Sequence, residues 1–450
     1  MKKDDAYCLV LSGGGTKGVY HIGVWKALKE LGIEVNAFVG NSIGAIIAGF
    51  LAQGEDKALE EIGANIGLDN VLNVPDSIVE DGELKITKKT LPLMRRFYRD
   101  FHEHRGLDTS PLRELVYDNL DEKKIRDSGN DLGIVTFNLT DMKAEEAFIE
   151  DMPAGTVLDY LMASAAVPGF ESPRIKGRRY IDGGVYDNMP YAMARRRGYK
   201  RIIIVDISGM GLNRRPNIRG GVTVYIKNSI QMGGILDFKR EFLDSFMELG
   251  YLDTLRTFDK LKGYSYFLSR DDDNEKRFSD FLTTEKGRDH LAVFLSKHEY
   301  RNDISRAEVV RHIFPRAMRY EKKLLLVLID CAADFVEVDR VHQYSYGELY
   351  TAIKEKRDLI DGRIRREFSE SKRSLKVSKA VESILKNSLK RNEFERPPYY
   401  YYRLLDFVLK EKTVKLLNKR FFVYFPAIRA AEFFLIIMDE FWSDERDAEN

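Results

Sequence analysis

A single serine stands in a pattern typical of a sharp turn between a strand and a helix, Gly40-Asn41-Ser42-Ile43-Gly44. In Gly-x-Ser-x-Gly the glycines remove Cβ atoms that would clash where the turn lifts the serine Oγ into a cleft. Such a serine can attack a carbonyl carbon and form a covalent intermediate. We therefore predict that Ser42 is a nucleophile and that Gly40 and Gly44 form its elbow.

A glycine-rich segment near the start of the chain could stabilise the charge that this attack creates. It lies between an apolar run at residues 7–11 and apolar residues at helical spacing from Val19, and it reads Gly13-Gly14-Gly15-Thr16-Lys17-Gly18. Backbone N–H groups at a helix start bind negative charge, and an oxyanion is such a charge. We predict that the N–H groups of Gly14 and Gly15 bind the oxyanion, with the Ile43 N–H as a further candidate donor. Gly13 would shape the loop and Lys17 would hold it in place.

The same glycines formally match the Gly-x-Gly-x-x-Gly pattern of a dinucleotide site. That site requires an acidic residue near the end of the second strand to bind a ribose hydroxyl. The second apolar run here, residues 35–39, ends instead in Gly40-Asn41-Ser42. The sequence therefore disfavours a nucleotide cofactor at this loop.

The base that would activate Ser42 is not evident among the histidines. The seven are His21, His102, His104, His290, His298, His312 and His342. His21 falls inside the first predicted helix and the others lie in charged or distant segments, which favours structural or exposed roles. Asp182 is the better candidate, because it ends an apolar run and is followed by Gly183 and Gly184. An ordinary aspartate has a pKa of about 3.9, so burial beside Ser42 would have to raise it.

Four segments in this order resemble the patatin-like phospholipase family over residues 6–210. Besides the two glycine segments, they are Ser164-Ala165-Ala166-Val167-Pro168 and the stretch from Tyr180 to Pro190 that contains Asp182-Gly183-Gly184. The resemblance implies a three-layer α/β/α hydrolase core. It also implies that Ser42 is the nucleophile, that Asp182 activates it and later activates water, and that Gly13 to Gly15 form the oxyanion loop.

By the same resemblance, the reaction is hydrolysis of acyl esters of phospholipids or other lipids, of phospholipase A or lysophospholipase type, without a cofactor. Lys17 stands where the family often has arginine, and Asn41 and Ile43 stand where it often has Thr and Ala. An acyltransferase or a small-ester esterase would use the same chemistry. A regulatory protein that keeps the fold without turnover is a further alternative.

No metal-site pattern is found in the sequence. His-Glu-x-x-His and Cys-x-x-Cys are absent, and Asp271-Asp272-Asp273 lacks the alternating ligands and glycine of a calcium loop. We interpret this acidic triplet as part of a solvated linker.

The composition is that of an ordinary globular chain, with 44% apolar and 32% charged residues and a formal net charge of +1. Such a charge argues against global attraction to nucleic acid or membranes. Cys8 and Cys331 lie in apolar surroundings, which favours reduced core residues and a cytoplasmic location. The most apolar late stretch, residues 421–438, is interrupted by Arg429 and Glu432, so no membrane-spanning segment is predicted.

A lipid-directed enzyme still needs a surface that contacts lipid. In the stretch 91–101, Met94, Phe97 and Phe101 share one helical face beside several basic residues, as in a helix that lies on a membrane surface. A helix packed on its own domain shows the same pattern, and this second interpretation is favoured.

The character of the chain changes after about residue 265. We predict an acyl hydrolase domain over residues 1–268 and a mostly helical accessory or regulatory region over residues 269–450. Helices are expected at 324–333, 349–364 and 377–389. Residues 399–402, four consecutive tyrosines after two prolines, would form either an aromatic contact surface or a buried loop anchor.

Overall fold

A computed structural model describes residues 6–73, 79–80, 83–84, 106–214, 219–231, 233–234, 236–297, 323–368, 396–408 and 428–448. The chain divides into two compact units, Met1–Phe258 and Asp259–Asn450. The predicted boundary between residues 268 and 269 falls inside a short strand of the second unit, Phe267–Ser269. The predicted membrane-contact stretch with Met94, Phe97 and Phe101 and the predicted helix at 377–389 lie outside the described residues.

The first unit is built around a mixed β-sheet. Its strands are β1 (Tyr7–Leu11), β2 (Val35–Gly40), β3 (Val79–Glu80), β4 (Glu83–Leu84), β5 (Asp131–Asn138), β6 (Lys143–Phe148), β7 (Arg174–Ile175), β8 (Arg178–Asp182), β9 (Arg201–Asp206) and β10 (Val222–Lys227). Among the described residues, β3 and β4 form a separate hairpin and the other eight strands form one sheet in the order β10-β9-β1-β2-β5-β8-β7, with β6 also paired to β5. The strands from β10 to β5 are parallel.

Helices cover both faces of this sheet. They are α1 (Val19–Glu30), α2 (Ile43–Gln53), α3 (Asp56–Asn65), α4 (Ser110–Asn119), α5 (Glu122–Asp127), α6 (Val157–Ser164), α7 (Tyr191–Arg196) and α8 (Arg240–Thr257). Alternate strand residues such as Val10 and Val39 pack with Tyr191 of α7. Phe38 has the opposite parity and contacts Trp25 of α1, with ring centroids 5.7 Å apart. The core is thus a three-layer α/β/α arrangement, as the resemblance implied.

The strands predicted at residues 7–11 and 35–39 are confirmed, as are the helices that follow the glycine loop and the serine elbow. Cys8 is a buried free thiol in β1. The first unit therefore has the strand, turn and helix that the elbow pattern requires.

Strand β5 brings the two key segments together. β2 pairs with residues 131–134 of β5 and β8 pairs with residues 136–138. Because β6 pairs with residues 133–138 from the other side, β2 and β8 share one edge of β5. They run in opposite directions along that edge, so their ends meet: Gly40 lies opposite Ile134, and Asp182 lies opposite Thr136.

The second unit is mostly helical. It contains strands β11 (Leu261–Lys262), β12 (Phe267–Ser269) and β13 (Gln343–Tyr344) and helices α9 (Asp272–Phe281), α10 (Glu285–Lys297), α11 (Leu324–Val336), α12 (Tyr346–Phe368), α13 (Pro398–Val408) and α14 (Ile428–Ala448). The apolar helix α11 is buried along most of its length, and Cys331 on it is partly exposed and not part of a disulfide. The helices predicted at 324–333 and 349–364 are confirmed: the first continues to Val336, and the second extends in both directions, from Tyr346 to Phe368.

Two expectations for the second unit are wrong. The acidic triplet is not a linker: Asp271 caps α9, its carboxylate accepting the Asn274 N–H at 2.9 Å, because negative charge stabilises a helix start. For the four tyrosines, the burial expected by one of the two interpretations is confirmed, but the expected loop is wrong: they lie in helix α13. Proline is tolerated in the first turn of a helix, so Pro398 begins this helix rather than preventing it. No helix in the described parts of the chain is both long and apolar enough to span a membrane.

Candidate active site

Ser42 lies at a strained turn between β2 and α2. Its φ of 55° and ψ of −131° belong to a region that residues other than glycine rarely adopt, and such strain persists only where the surroundings hold it. The Ser42 N–H donates to Ser164 Oγ at 2.9 Å, and the Ser164 hydroxyl donates to the Val135 carbonyl at 2.7 Å. One buried hydroxyl on α6 therefore ties the elbow to β5.

Steric crowding accounts for both elbow glycines. A Cβ atom on Gly40 would lie 2.3 Å from the Gly44 carbonyl oxygen, and one on Gly44 would lie 2.4 Å from the Leu11 carbonyl oxygen. These distances are far shorter than any real Cβ contact, so the backbones approach this closely only without side chains.

Asp182 ends β8 and is buried beside the elbow. Its Oδ1 accepts the Gly184 N–H at 2.7 Å and the Asn41 side-chain amide at 3.1 Å. Its Oδ2 is buried and has no hydrogen-bond partner among the described residues. One carboxylate oxygen is thus fully engaged, and the other remains an acceptor without a donor.

Burial raises the pKa of the Asp182 carboxyl above its ordinary value. The nearby Ser42 hydroxyl, the Gly184 N–H and the Asn41 amide act against this by favouring the charged form. The Ser42 hydroxyl is therefore close enough to affect the pKa of Asp182, although it does not form a hydrogen bond with Oδ2. The net effect of the site is a carboxylate that is more basic than an exposed aspartate.

The glycine loop lies next to the elbow. Residues Gly15–Gly18 form a short 3-10 helix that includes the buried Lys17 and leads into α1. The Gly13 N–H is occupied, because it donates to the Asn188 carbonyl at 3.3 Å. The N–H groups of Gly14 and Gly15 have no acceptor among the described residues, and both glycines line the same cavity as Ser42 and Asp182. Two backbone donors are therefore free near the serine.

A cavity of about 620 Å³ opens onto these groups. Its wall is mostly apolar and includes Ile43, Ile46, Leu107, Leu112, Phe170 and Phe238. Gly183 and Gly184, which follow Asp182, are both buried, and Gly184 lines the cavity. Apolar walls with a few polar groups at one place are typical of sites that bind apolar small molecules.

A family model for patatin-like phospholipases matches residues 9–195. This part of the chain belongs to the patatin-like phospholipase family. Human "Patatin-like phospholipase domain-containing protein 6" is 28% identical over 203 residues, 44% of this chain and 13% of that protein. "Lysophospholipase NTE1" of Cryptococcus neoformans is 29% identical over 204 residues, 45% of this chain and 11% of that protein. The chain thus matches only a small part of these relatives.

Among solved structures, VipD from Legionella pneumophila is similar with a TM-score of 0.37 and 14% identity, covering 96% of this chain and 86% of VipD. In this chain, the patatin-like segments that the sequence singled out lie in the first unit and meet at the ends of β2 and β8.

No described histidine lines the cavity of the patatin-like domain. His21 is buried in α1, where its Nε2 lies 2.9 Å from the Ser12 carbonyl oxygen. Burial lowers the pKa of His21 to about 4, so its ring is neutral at neutral pH. Nor do the described residues contain a cluster of His, Cys, Asp or Glu that could hold a metal ion.

Three polar residues of the patatin-like domain support the site without having been assigned a role from the sequence: Asn41, Ser164 and Asn188. All three are buried and hydrogen-bonded to the elbow, to Asp182 or to the glycine loop. All three lie within the motif segments, which is the signal that the sequence offers. Their partners depend on tertiary contacts that spacing along the chain does not reveal.

Proposed function

We propose that this chain is a lipid acyl hydrolase of phospholipase A or lysophospholipase type. It cleaves carboxylic esters through an acyl-serine intermediate, with Ser42 as nucleophile and Asp182 as its base. The observation that carries the proposal is the buried Asp182 Oδ2, which has no donor among the described residues, beside a serine held in a strained elbow. A buried acceptor without a donor is costly and needs an explanation, and receiving the Ser42 proton would supply one.

The proposed reaction uses these groups in two halves, of which acylation is the first. As Ser42 Oγ bonds to the ester carbonyl carbon, its proton passes to Asp182 Oδ2. The carbonyl oxygen gains negative charge and accepts hydrogen bonds from the free N–H groups of Gly14 and Gly15. When the C–O bond to the alcohol breaks, Asp182 gives its proton to the leaving oxygen.

The second half repeats these steps with water. Asp182 takes a proton from a water molecule as its oxygen attacks the acyl-serine carbonyl. The bond to Ser42 Oγ then breaks, Oγ recovers the proton from Asp182, and a carboxylic acid is released.

Two observations support a lipid as substrate. The cavity wall is mostly apolar, as an acyl chain requires. The relatives are named as patatin-like phospholipase and lysophospholipase. A bound acyl chain would place its ester at the polar end of the cavity, where Ser42, Gly14 and Gly15 lie.

The test is release of fatty acid from phosphatidylcholine and lysophosphatidylcholine in the presence of a chelator, with a short-chain p-nitrophenyl ester in parallel. We expect Ser42→Ala and Asp182→Asn each to lower kcat by at least a hundredfold. The control is Asp206→Asn, which changes another buried carboxylate at the end of a strand of the same sheet, outside the cavity.

Three results would count against the proposal. Equal activity of wild type and Ser42→Ala would mean that Ser42 is not the nucleophile. Activity on the short ester alone would favour a small-ester esterase. No turnover of any substrate by folded protein would favour a regulatory protein that keeps the fold.

A further inference from the structure

Asn41 occupies a central position in the site. It lies between Gly40 and Ser42, and its side chain is fully buried. Its Nδ2 lies 3.1 Å from Asp182 Oδ1 and 3.1 Å from Asn188 Oδ1. One amide group therefore contacts both the segment that carries the carboxylate and the segment that follows it.

The surrounding hydrogen bonds determine which way this amide points. The Asn188 side-chain Nδ2 donates to the Gly13 carbonyl at 3.3 Å, and a carbonyl can only accept. Asn188 must then present its Oδ1 to Asn41. Since ionised Asp182 also only accepts, Asn41 must direct its NH₂ group at both oxygens.

Two glycines of other segments make room for this side chain. A Cβ atom on Gly183 would lie 2.5 Å from Asn41 Oδ1, and one on Gly13 would lie 3.0 Å from Asn41 Nδ2. The glycine loop and the Asp-Gly-Gly turn are thus packed around Asn41. This crowding is independent of the hydrogen bonds and points to the same function.

We infer that Asn41 is a positioning residue: by holding Asp182 Oδ1, it keeps Oδ2 as the only carboxylate oxygen free to receive the Ser42 proton, and through Asn188 it connects the carboxylate to the oxyanion loop. The inference rests on the proposed function. A carboxylate can rotate about its last torsion with little resistance, so a buried one needs such contacts to present a single oxygen.

The test is the pH dependence of kcat/KM for a short-chain p-nitrophenyl ester, because its acid limb reports the base of the free enzyme. The variants are Asn41→Leu, which fills a similar space without donating, and Asn41→Ser, which is smaller and polar. Losing a donor to the carboxylate should move the acid limb up by about one pH unit and lower kcat at the plateau about tenfold or more.

The matched control is Asn36→Ala, since Asn36 lies on the same strand but outside the cavity. Its acid limb should coincide with that of wild type. Thermal unfolding of each variant identifies any that do not fold, and the folded one of the Asn41 pair is then decisive.

The two possible failures are distinguishable. If wild type turns over and the acid limbs of the Asn41 variants coincide with it, Asn41 only fills space and the inference is wrong. If wild type and Ser42→Ala are equally inactive, the proposed function is wrong and the inference is wrong with it.

Discussion

The strained Ser42 depends on one hydroxyl that is not itself part of the proposed reaction. Ser164 accepts the Ser42 N–H and donates to Val135, and it is fully buried. Because its oxygen occupies the Ser42 N–H, that group is not available to an oxyanion, so the candidate donors remain the N–H groups of Gly14, Gly15 and Ile43. The geometry of the nucleophile therefore rests on a side chain from another helix.

We expect Ser164→Ala to destabilise the domain and to disturb the elbow. The buried Ser42 N–H would lose its acceptor, at a cost of about 1–3 kcal/mol in the free energy of unfolding. Urea unfolding measures this cost, and the rate of Ser42 labelling by a fluorophosphonate ester measures the disturbance. We expect that rate to fall about tenfold or more.

The control for this prediction is Ser128→Ala. Ser128 also makes two hydrogen bonds, with Ile125 and Asn130, but it is exposed at the end of α5, so water can replace it. Its change in unfolding free energy should stay within about 0.5 kcal/mol. If Ser164→Ala behaves in the same way, Ser164 does not hold the elbow.

At the residue scale, short motifs predicted where the two central groups lie in the chain but not what surrounds them. Ser42 and Asp182 are preceded by apolar runs and followed by glycines, which is a local signal. The contact of Asn41 with Asp182 joins residues 141 positions apart. No local pattern encodes such a contact, so it required the structure.

At the scale of elements, a loop after β9 carries unusually exposed apolar residues. Met210 is 74% exposed and Leu212 is 62% exposed, and both line the cavity that contains Ser42. The Leu212 N–H donates to the Gly184 carbonyl at 2.9 Å, so the loop is tied to the turn after Asp182. Exposed apolar side chains at a cavity opening are suited to contact with an apolar ligand or a lipid surface.

We expect this loop to contact lipid when the proposed hydrolase meets its substrate. In an otherwise Ser42→Ala protein, Met210→Ser with Leu212→Ser should weaken binding to phosphatidylcholine vesicles at least tenfold, because burying even one such side chain is worth roughly 1.5–3 kcal/mol and about 1.4 kcal/mol is a factor of ten. Vesicle co-sedimentation measures the binding.

Met142→Ser is the matched control. Met142 is 71% exposed in the turn between β5 and β6 and does not line the cavity. This variant should bind vesicles as the parent does. An equal loss in both variants would mean that exposed apolar surface in general, rather than this loop, determines binding.

Elements with a strong apolar periodicity could be predicted from the sequence, whereas a helix whose start depends on a capping hydrogen bond could not. The strands before the two glycine segments have clear apolar patterns, and their predicted bounds agree with the observed ones to within one residue. The helices after these segments are predicted in the right places. From the sequence alone, the acidic residues at the start of α9 predict a solvated linker, whereas the structure has a helix there. Acidic residues at a helix start and in a solvated linker look alike until a carboxylate is seen to accept a backbone N–H, as Asp271 does.

At the scale of the whole molecule, the first unit contains every group that the proposed reaction uses. The cavity lining ends at Phe238, and the unit closes with α8, which packs closely on α1: a Cβ atom on Gly23 would lie 1.9 Å from the Met247 carbonyl oxygen. The second unit has a core of its own, centred on α11. Two units with separate cores are expected to fold as separate domains.

We therefore expect residues 1–258 to fold alone and to keep the Ser42-dependent hydrolysis of a short-chain ester within about threefold of the full chain, since the site and α8 are retained. If the accessory or regulatory region predicted for residues 269–450 inhibits hydrolysis, the truncated chain should have a higher rate on phosphatidylcholine vesicles. The rate on vesicles divided by the rate on the short-chain ester, compared between the full and the truncated chain, separates a regulatory effect from damage to the site. The Ser42→Ala variant of each chain gives the background rate. If the truncated chain is folded and its kinetics match the full chain on both substrates, the second unit does not regulate hydrolysis. If the truncated chain fails to fold, its core depends on residues beyond 258.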